Sequence, residues 1–139
     1  MNILLVCGPC GLRDQLIRKF KKEGHRVCLL TGNRFKEPQK EKVFETYRFP
    51  YDSDSVRAVF ESVLPAVTIF LGAYDPNFRW EEGDRASVRY TTALTNLLMA
   101  FASTGKGRFL CLSSEEVYGG NYPEDITEET PVKPESVKG

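Results

Sequence analysis

Residues 4–16 read LLVCGPCGLRDQL, and two chemistries compete for the turn they form. Cys7-Gly8-Pro9-Cys10 has the Cys-x-x-Cys spacing of dithiol exchange, which needs a thiolate at a helix N-terminus. Gly8 and Gly11 stand where an opening strand turns into a first helix. Glycine serves there because the backbone bends sharply and must approach phosphate oxygens, while the helix start supplies unpaired N–H groups and a partial positive charge. A third glycine in this pattern would fall at position 14, which is Asp14. Its carboxylate lies in the first helical turn and competes with a bound pyrophosphate.

The flanking sequence sets the frame around that turn. Asn2 to Cys7 is an apolar run ending at glycine, as expected of a strand buried on both faces. Leu12, Leu16, Ile17 and Phe20 recur at helical spacing, with Arg13, Arg18, Lys21 and Lys22 on the other face and Gly24 as the stop. Val27 to Thr31 is a second strand, Gly32 to Lys42 a polar loop, and Val43 to Phe49 a third strand suited to a sheet edge. Ser53 caps a short helix with the stripe Val56, Val59, Phe60 and Val63, closed by Pro65. Val67 to Ala73 is a fourth strand, 84–103 a long helix stopping before Gly105, and Phe109 to Ser113 a fifth strand. Glu115 to Gly139 is acidic and punctuated by proline, and reads as a surface loop.

Alternating strands and helices with continuously apolar strands specify an α/β fold, a doubly wound parallel sheet covered on both faces. Right-handed crossovers favour the Rossmann-like strand order 3-2-1-4-5. Ligands in such sheets bind beyond the carboxyl ends of the strands, where strand order reverses. Three loops converge there: Gly8 to Gly11, Gly72 to Asp75, and Ser113 to Gly119.

The chain has 139 residues, enough for one domain over 1–139 with its own core. Lys plus Arg and Asp plus Glu both number 19, so the balanced charge gives no reason to expect a nucleic-acid or membrane partner. The opening apolar run lacks a basic region and is too short for a signal peptide or membrane span, so the expected location is the cytoplasm. Of the four cysteines, two fall within apolar strand-like runs, which suggests buried thiols rather than a disulfide framework.

Three stretches together carry a family resemblance. MNILLVCGPCGLRDQLIRKFKKEGHRVCLLT resembles the opening strand, glycine turn, helix and second strand of the extended short-chain dehydrogenase/reductase family, the NAD-dependent epimerases and dehydratases of nucleotide sugars. RFLCLSSEEVYGG is similar to that family's fifth strand and active-site segment, and ITEETPVKPES to the acidic, proline-punctuated loop leading into its catalytic helix. The resemblance decides for nucleotide binding over a thioredoxin-like centre. It implies NAD or NADP as cofactor, held by Gly8, Cys10, Gly11, Leu12, Gly72 and Ala73, with Arg34 facing a 2′-phosphate if the cofactor is NADP. It further implies a nucleotide-sugar substrate and a paired-helix homodimer. Ser114 falls at the catalytic Ser/Thr position that hydrogen-bonds the sugar hydroxyl or keto group, and Glu115 and Glu116 resemble the acidic pair of sugar dehydratases. The 113–139 stretch is then the active-site segment and its loop.

Departures from the family pattern are also plain. Its catalytic tyrosine, in a Tyr-x-x-x-Lys helix, aligns with Lys138, so this stretch supplies neither that tyrosine nor that lysine and the isolated chain is expected to be inactive. Thr31-Gly32-Asn33-Arg34 stands in place of the ribose-binding acid, Phe49 replaces an aspartate near the adenine and leaves Asp52 as a candidate helix-start residue only, and Tyr90 replaces an asparagine in the long helix. A degenerate, non-catalytic nucleotide-binding or regulatory module is the alternative, and a Cys7–Cys10 redox switch a third. Without a following half, the sheet and long helix around Val88, Leu94, Leu98 and Phe101 are expected to face water and to draw a partner chain.

Overall fold

The computed structural model describes residues 1–32, 42–45, 52–72, 83–120 and 125–136. Its elements run β1 (Asn2–Val6), α1 (Gly11–Lys22), β2 (Arg26–Thr31), β3 (Lys42–Glu45), α2 (Ser53–Val63), β4 (Val67–Phe70), α3 (Asp84–Thr104) and β5 (Arg108–Cys111). The five strands form one sheet in the order β3-β2-β1-β4-β5, with every neighbouring pair parallel. This is the Rossmann-like order expected from the alternating pattern.

The uninterrupted apolar strands follow from burial on both faces. Leu4, Val6, Cys28, Leu30 and Phe70 pack against Val56, Val59, Phe60 and Val63 of α2 and Ala93, Leu97 and Ala100 of α3. Ile3, Leu5, Cys7, Val27 and Leu29 pack on the opposite face with Leu16, Ile17 and Phe20 of α1. The first helix therefore covers one side of the sheet and the other two cover the second.

Two assignments within the helices shift. The cap of α2 is Asp52 rather than Ser53: its carboxylate accepts from the Ser55 N–H at 2.9 Å, satisfying an amide that has no partner within the helix. On α1 the buried stripe begins at Arg13, which is 9% exposed, while Leu12 is 44% exposed. Arg13, Leu16, Ile17 and Phe20 have the i, i+3, i+4, i+7 spacing of one helix face, so phase rather than residue polarity decides which side chain goes inward.

The apolar patch expected on α3 is also redistributed. Leu94 and Phe101 pack against the core, whereas Val88, Leu98 and Met99 are exposed, as are Leu110 and Leu112 at the β5 edge. Among the described residues, no helix is long and apolar enough to cross a membrane.

Candidate functional site

Parallel register brings three loop tips to one edge of the sheet. Val6 pairs with Phe70, and Phe70 with Cys111, so β1, β4 and β5 end side by side. The ladder continues one step further, with Cys7 N–H donating to Leu30 O at 3.1 Å, Leu71 N–H to Val6 O at 3.1 Å and Leu112 N–H to Phe70 O at 2.8 Å. Gly8 and Gly11, Gly72, and Ser114 to Glu116 all follow these strand ends; strand order reverses between β1 and β4, and β5 lies next to β4. Ala73, Arg34 and Lys138 lie outside the described residues, as do Asn33 and Phe49.

The first turn presents an open helix start. Cys10 is the N-cap of α1, with extended backbone; its Sγ accepts from Arg13 N–H at 3.4 Å and its carbonyl from Asp14 N–H at 3.2 Å. The amides of Gly11 and Leu12, one and two residues into the helix, then have no acceptor within it. Gly8 is buried beneath the turn, whereas a Cβ added at Gly11 would meet nothing within 4 Å. Gly72 at the neighbouring tip adopts φ +88°, a conformation that favours glycine, and likewise faces open space. Asp14 does not project its carboxylate alone: Arg13 Nε donates to Oδ1 at 2.7 Å, and Nη2 contacts the same oxygen.

Cys7 lacks the thiolate from which dithiol exchange starts. It is 1% exposed, and burial pushes its thiol up from 9.0 to about 12; Cys10 and Asp14 add to the rise, and Arg13 partly offsets it. Among the described residues all four cysteines are free thiols, Cys7 and Cys28 buried, Cys10 and Cys111 exposed.

Beyond β5 the chain makes a 3-10 turn, Glu115–Tyr118, instead of a featureless loop. Ser114 caps this turn, its Oγ accepting from Glu116 N–H at 3.3 Å. The two carboxylates differ in setting. Glu115 is exposed, whereas Glu116 is half-buried and its Oε2 accepts from the Ser136 hydroxyl at 2.6 Å. Lys133 N–H donates to Val117 O at 2.8 Å, and Gly120 N–H to Glu135 Oε2 at 3.3 Å, so the proline-punctuated segment folds back over the turn. Gly119 makes that approach possible: at φ +88°, an added Cβ would lie 2.6 Å from Lys133 O. Glu116, Gly119, Gly120, Glu135 and Ser136 line a cavity of about 240 Å³.

Tyr90 of α3 reaches toward the same edge. Its ring lies 5.4 Å from that of Phe70, and its hydroxyl 3.7 Å from Cys111 Sγ. Burial raises its pKa above the ordinary 10.0, and the hydrogen bond and charge of Cys111 raise it further.

Two contributors, Arg13 and Ser136, are not evident in the sequence, and Gly119 is evident only as the end of the Ser113 to Gly119 loop. Arg13 has the phase of the buried face of α1, but its charge points to the surface. Ser136 was not legible, because its contact with Glu116 spans twenty residues.

Comparisons with known proteins bear on this arrangement. Residues 12–137 match the NAD dependent epimerase/dehydratase family. Among curated proteins, none matches the chain by sequence. The fold is similar to that of the UDP-Glc/GlcNAc 4-epimerase of Campylobacter jejuni, at 23% identity and a TM-score of 0.78 over 99% of this chain and 44% of that one. It is also similar to the UDP-glucose 4-epimerase of Thermotoga maritima, solved with UDP-glucose, at 19% identity and a TM-score of 0.80 over 100% of this chain and 47% of that one. The UDP-glucose 4-epimerase of Brucella ovis, solved with NAD, gives 17% identity and a TM-score of 0.81 over 99% of this chain and 43% of that one. The chain thus spans less than half the length of these enzymes.

Proposed function

Because the chain belongs to the NAD-dependent epimerase/dehydratase family, we propose that it is the NAD(P)-binding portion of a nucleotide-sugar epimerase- or dehydratase-like oxidoreductase. The observation that carries the proposal is the open N-terminus of α1, at the reversal of strand order, with space in front of Gly11 and Gly72. These residues fit a dinucleotide. The Gly11 and Leu12 amides are placed to donate to pyrophosphate oxygens, buried Gly8 lets the backbone turn beneath them, and Cys10 holds the turn through its cap. Leu12, exposed at the mouth, offers an apolar wall. Gly72 borders the other side; Ala73 and, for a 2′-phosphate, Arg34 are the further candidates from sequence.

When bound, NAD or NADP supplies hydride transfer at a sugar carbon. This chain's own residues orient the sugar and move protons. The Ser114 oxygen is used as an acceptor by the Glu116 amide, which leaves its O–H to donate to a hydroxyl or keto oxygen of the sugar. Glu115, exposed, is placed to exchange a proton with substrate; Glu116, held by Ser136, acts from a fixed position. Removal of water from a sugar requires both a proton acceptor and a proton donor, which is why two carboxylates at one turn suit a dehydratase. The sequence contains no Tyr-x-x-x-Lys, so the 139-residue chain alone should turn over no nucleotide sugar. The exposed Val88, Leu98 and Met99 on α3 suit a homodimer contact, and the cytoplasm is the expected location.

Calorimetric titration with NAD and with NADP tests this reading. Binding of either supports it, and a preference for NADP supports the role of Arg34. Asp14 at the third glycine position favours a second reading, a degenerate module, which predicts binding of neither.

A further inference from the structure

We propose that the Arg13–Asp14 ion pair takes the place of the third glycine in the phosphate-binding turn: Arg13 draws the Asp14 carboxylate aside and cancels its charge, so that the start of α1 stays open to an anion. The inference rests on the reading of that turn as a cofactor site. A carboxylate in the first turn of a helix is itself attracted by the unpaired amides and partial positive charge there. Left alone, Asp14 would satisfy the helix start and repel a second anion.

Arg13 prevents this through its position. Residues one apart on a helix point about 100° away from each other, so the contact forms only if the guanidinium wraps around the helix start. Arg13 is placed to do so because its stem is fixed in the interior stripe with Leu16, Ile17 and Phe20; its side chain is 11% exposed and that of Asp14 is 46% exposed. Nε and Nη2 both converge on Oδ1. At the Cys7 thiol beneath the turn the two charges act in opposite senses, Arg13 lowering its pKa and Asp14 raising it, with Arg13 the larger of the two. Glycine achieves openness by having no side chain; here an acidic side chain is present and its charge is balanced from within.

The test is titration of the 139-residue chain and its variants with ADP-ribose, which carries the pyrophosphate, and with adenosine, which does not. Arg13→Met keeps the buried stem and removes the charge. It should weaken ADP-ribose binding about tenfold, the order expected for one uncompensated carboxylate near a phosphate, while leaving adenosine binding unchanged. Adding Asp14→Asn to Arg13→Met should restore ADP-ribose affinity to within about threefold of the original, and Arg13→Lys, which keeps the charge, should lose less than Arg13→Met. Unchanged ADP-ribose binding in Arg13→Met overturns the inference. So does failure of Asp14→Asn to rescue, or an equal loss for adenosine, which would mark a merely structural role. If the original chain binds no ADP-ribose, the cofactor reading fails and this inference with it; binding by the original chain with variants that depart from the predicted pattern overturns this inference alone.

Discussion

Cys7 shows how burial decides chemistry at the level of one residue. A thiol needs its anion to attack a disulfide, and the interior at the end of β1 pushes the Cys7 thiol up to about 12. An acid whose folded pKa lies above its ordinary value holds its proton more tightly in the native state. Its contribution is therefore complete below the ordinary 9.0 and is lost as pH rises toward about 12. Tyr90 acts in the same direction above its ordinary 10.0. Two outcomes are expected. Thermal stability should fall as pH rises above 9.0, less steeply in Cys7→Ala. In native protein near neutral pH, a thiol-alkylating reagent followed by mass mapping should mark Cys10 and Cys111 and spare Cys7 and Cys28. At this scale the sequence is only partly legible. Gly8, Gly11 and Asp14 announce the turn by spacing alone. Arg13 does not, because its charge suggests the surface while its phase on α1 places it inside. Nor does Cys10 announce itself as a cap, a role usually filled by Ser, Thr, Asp or Asn.

The elements follow their local chemistry closely, and the strained points lie at their joints. After α2, Leu64 is the C-cap at φ 46°, a left-handed conformation in which a Cβ is unfavourable, with Pro65 next to it. Its side chain is 68% exposed, so little packing is at stake. Leu64→Gly should raise the melting temperature, a gain of up to about 1 kcal/mol, checked by thermal denaturation. Gly107 is the opposite case. At φ +97° it passes so close to the α2–β4 connection that an added Cβ would lie 2.7 Å from Pro65 O. Gly107→Ala should destabilise the fold by about 2 kcal/mol or more, because positive φ and overlap with backbone act together. Hydrophobic period and breakers make the strands and helices readable, down to Pro65 closing α2. The 3-10 turn at Glu115–Tyr118 is less so, because it depends on a distant segment: Lys133 N–H donates to Val117 O, Gly120 N–H to Glu135 Oε2 and the Ser136 hydroxyl to Glu116 Oε2.

At the scale of the molecule, the parallel sheet explains both the site and the uncovered surface. Strands covered on both faces read as unbroken apolar runs, which is why the order 3-2-1-4-5 was accessible from sequence. Among the described residues, the same rule identifies where cover is missing. Phe109 packs toward α3, so by alternation Leu110 and Leu112 face the α1 side, where they are 52% and 50% exposed. Which α3 residues turn inward was less legible, because Leu94 and Leu98 are equally apolar and only packing against the sheet separates them. The central claim is that the tips of β1 and β4 and the start of α1 form one anion-binding crevice. The most direct measurement is an amide NMR titration of the chain with NAD or NADP. The account predicts progressive shifts at Gly8, Gly11, Leu12 and Gly72 that saturate together; no shifts with either cofactor, or shifts that avoid this edge of the sheet, would contradict it.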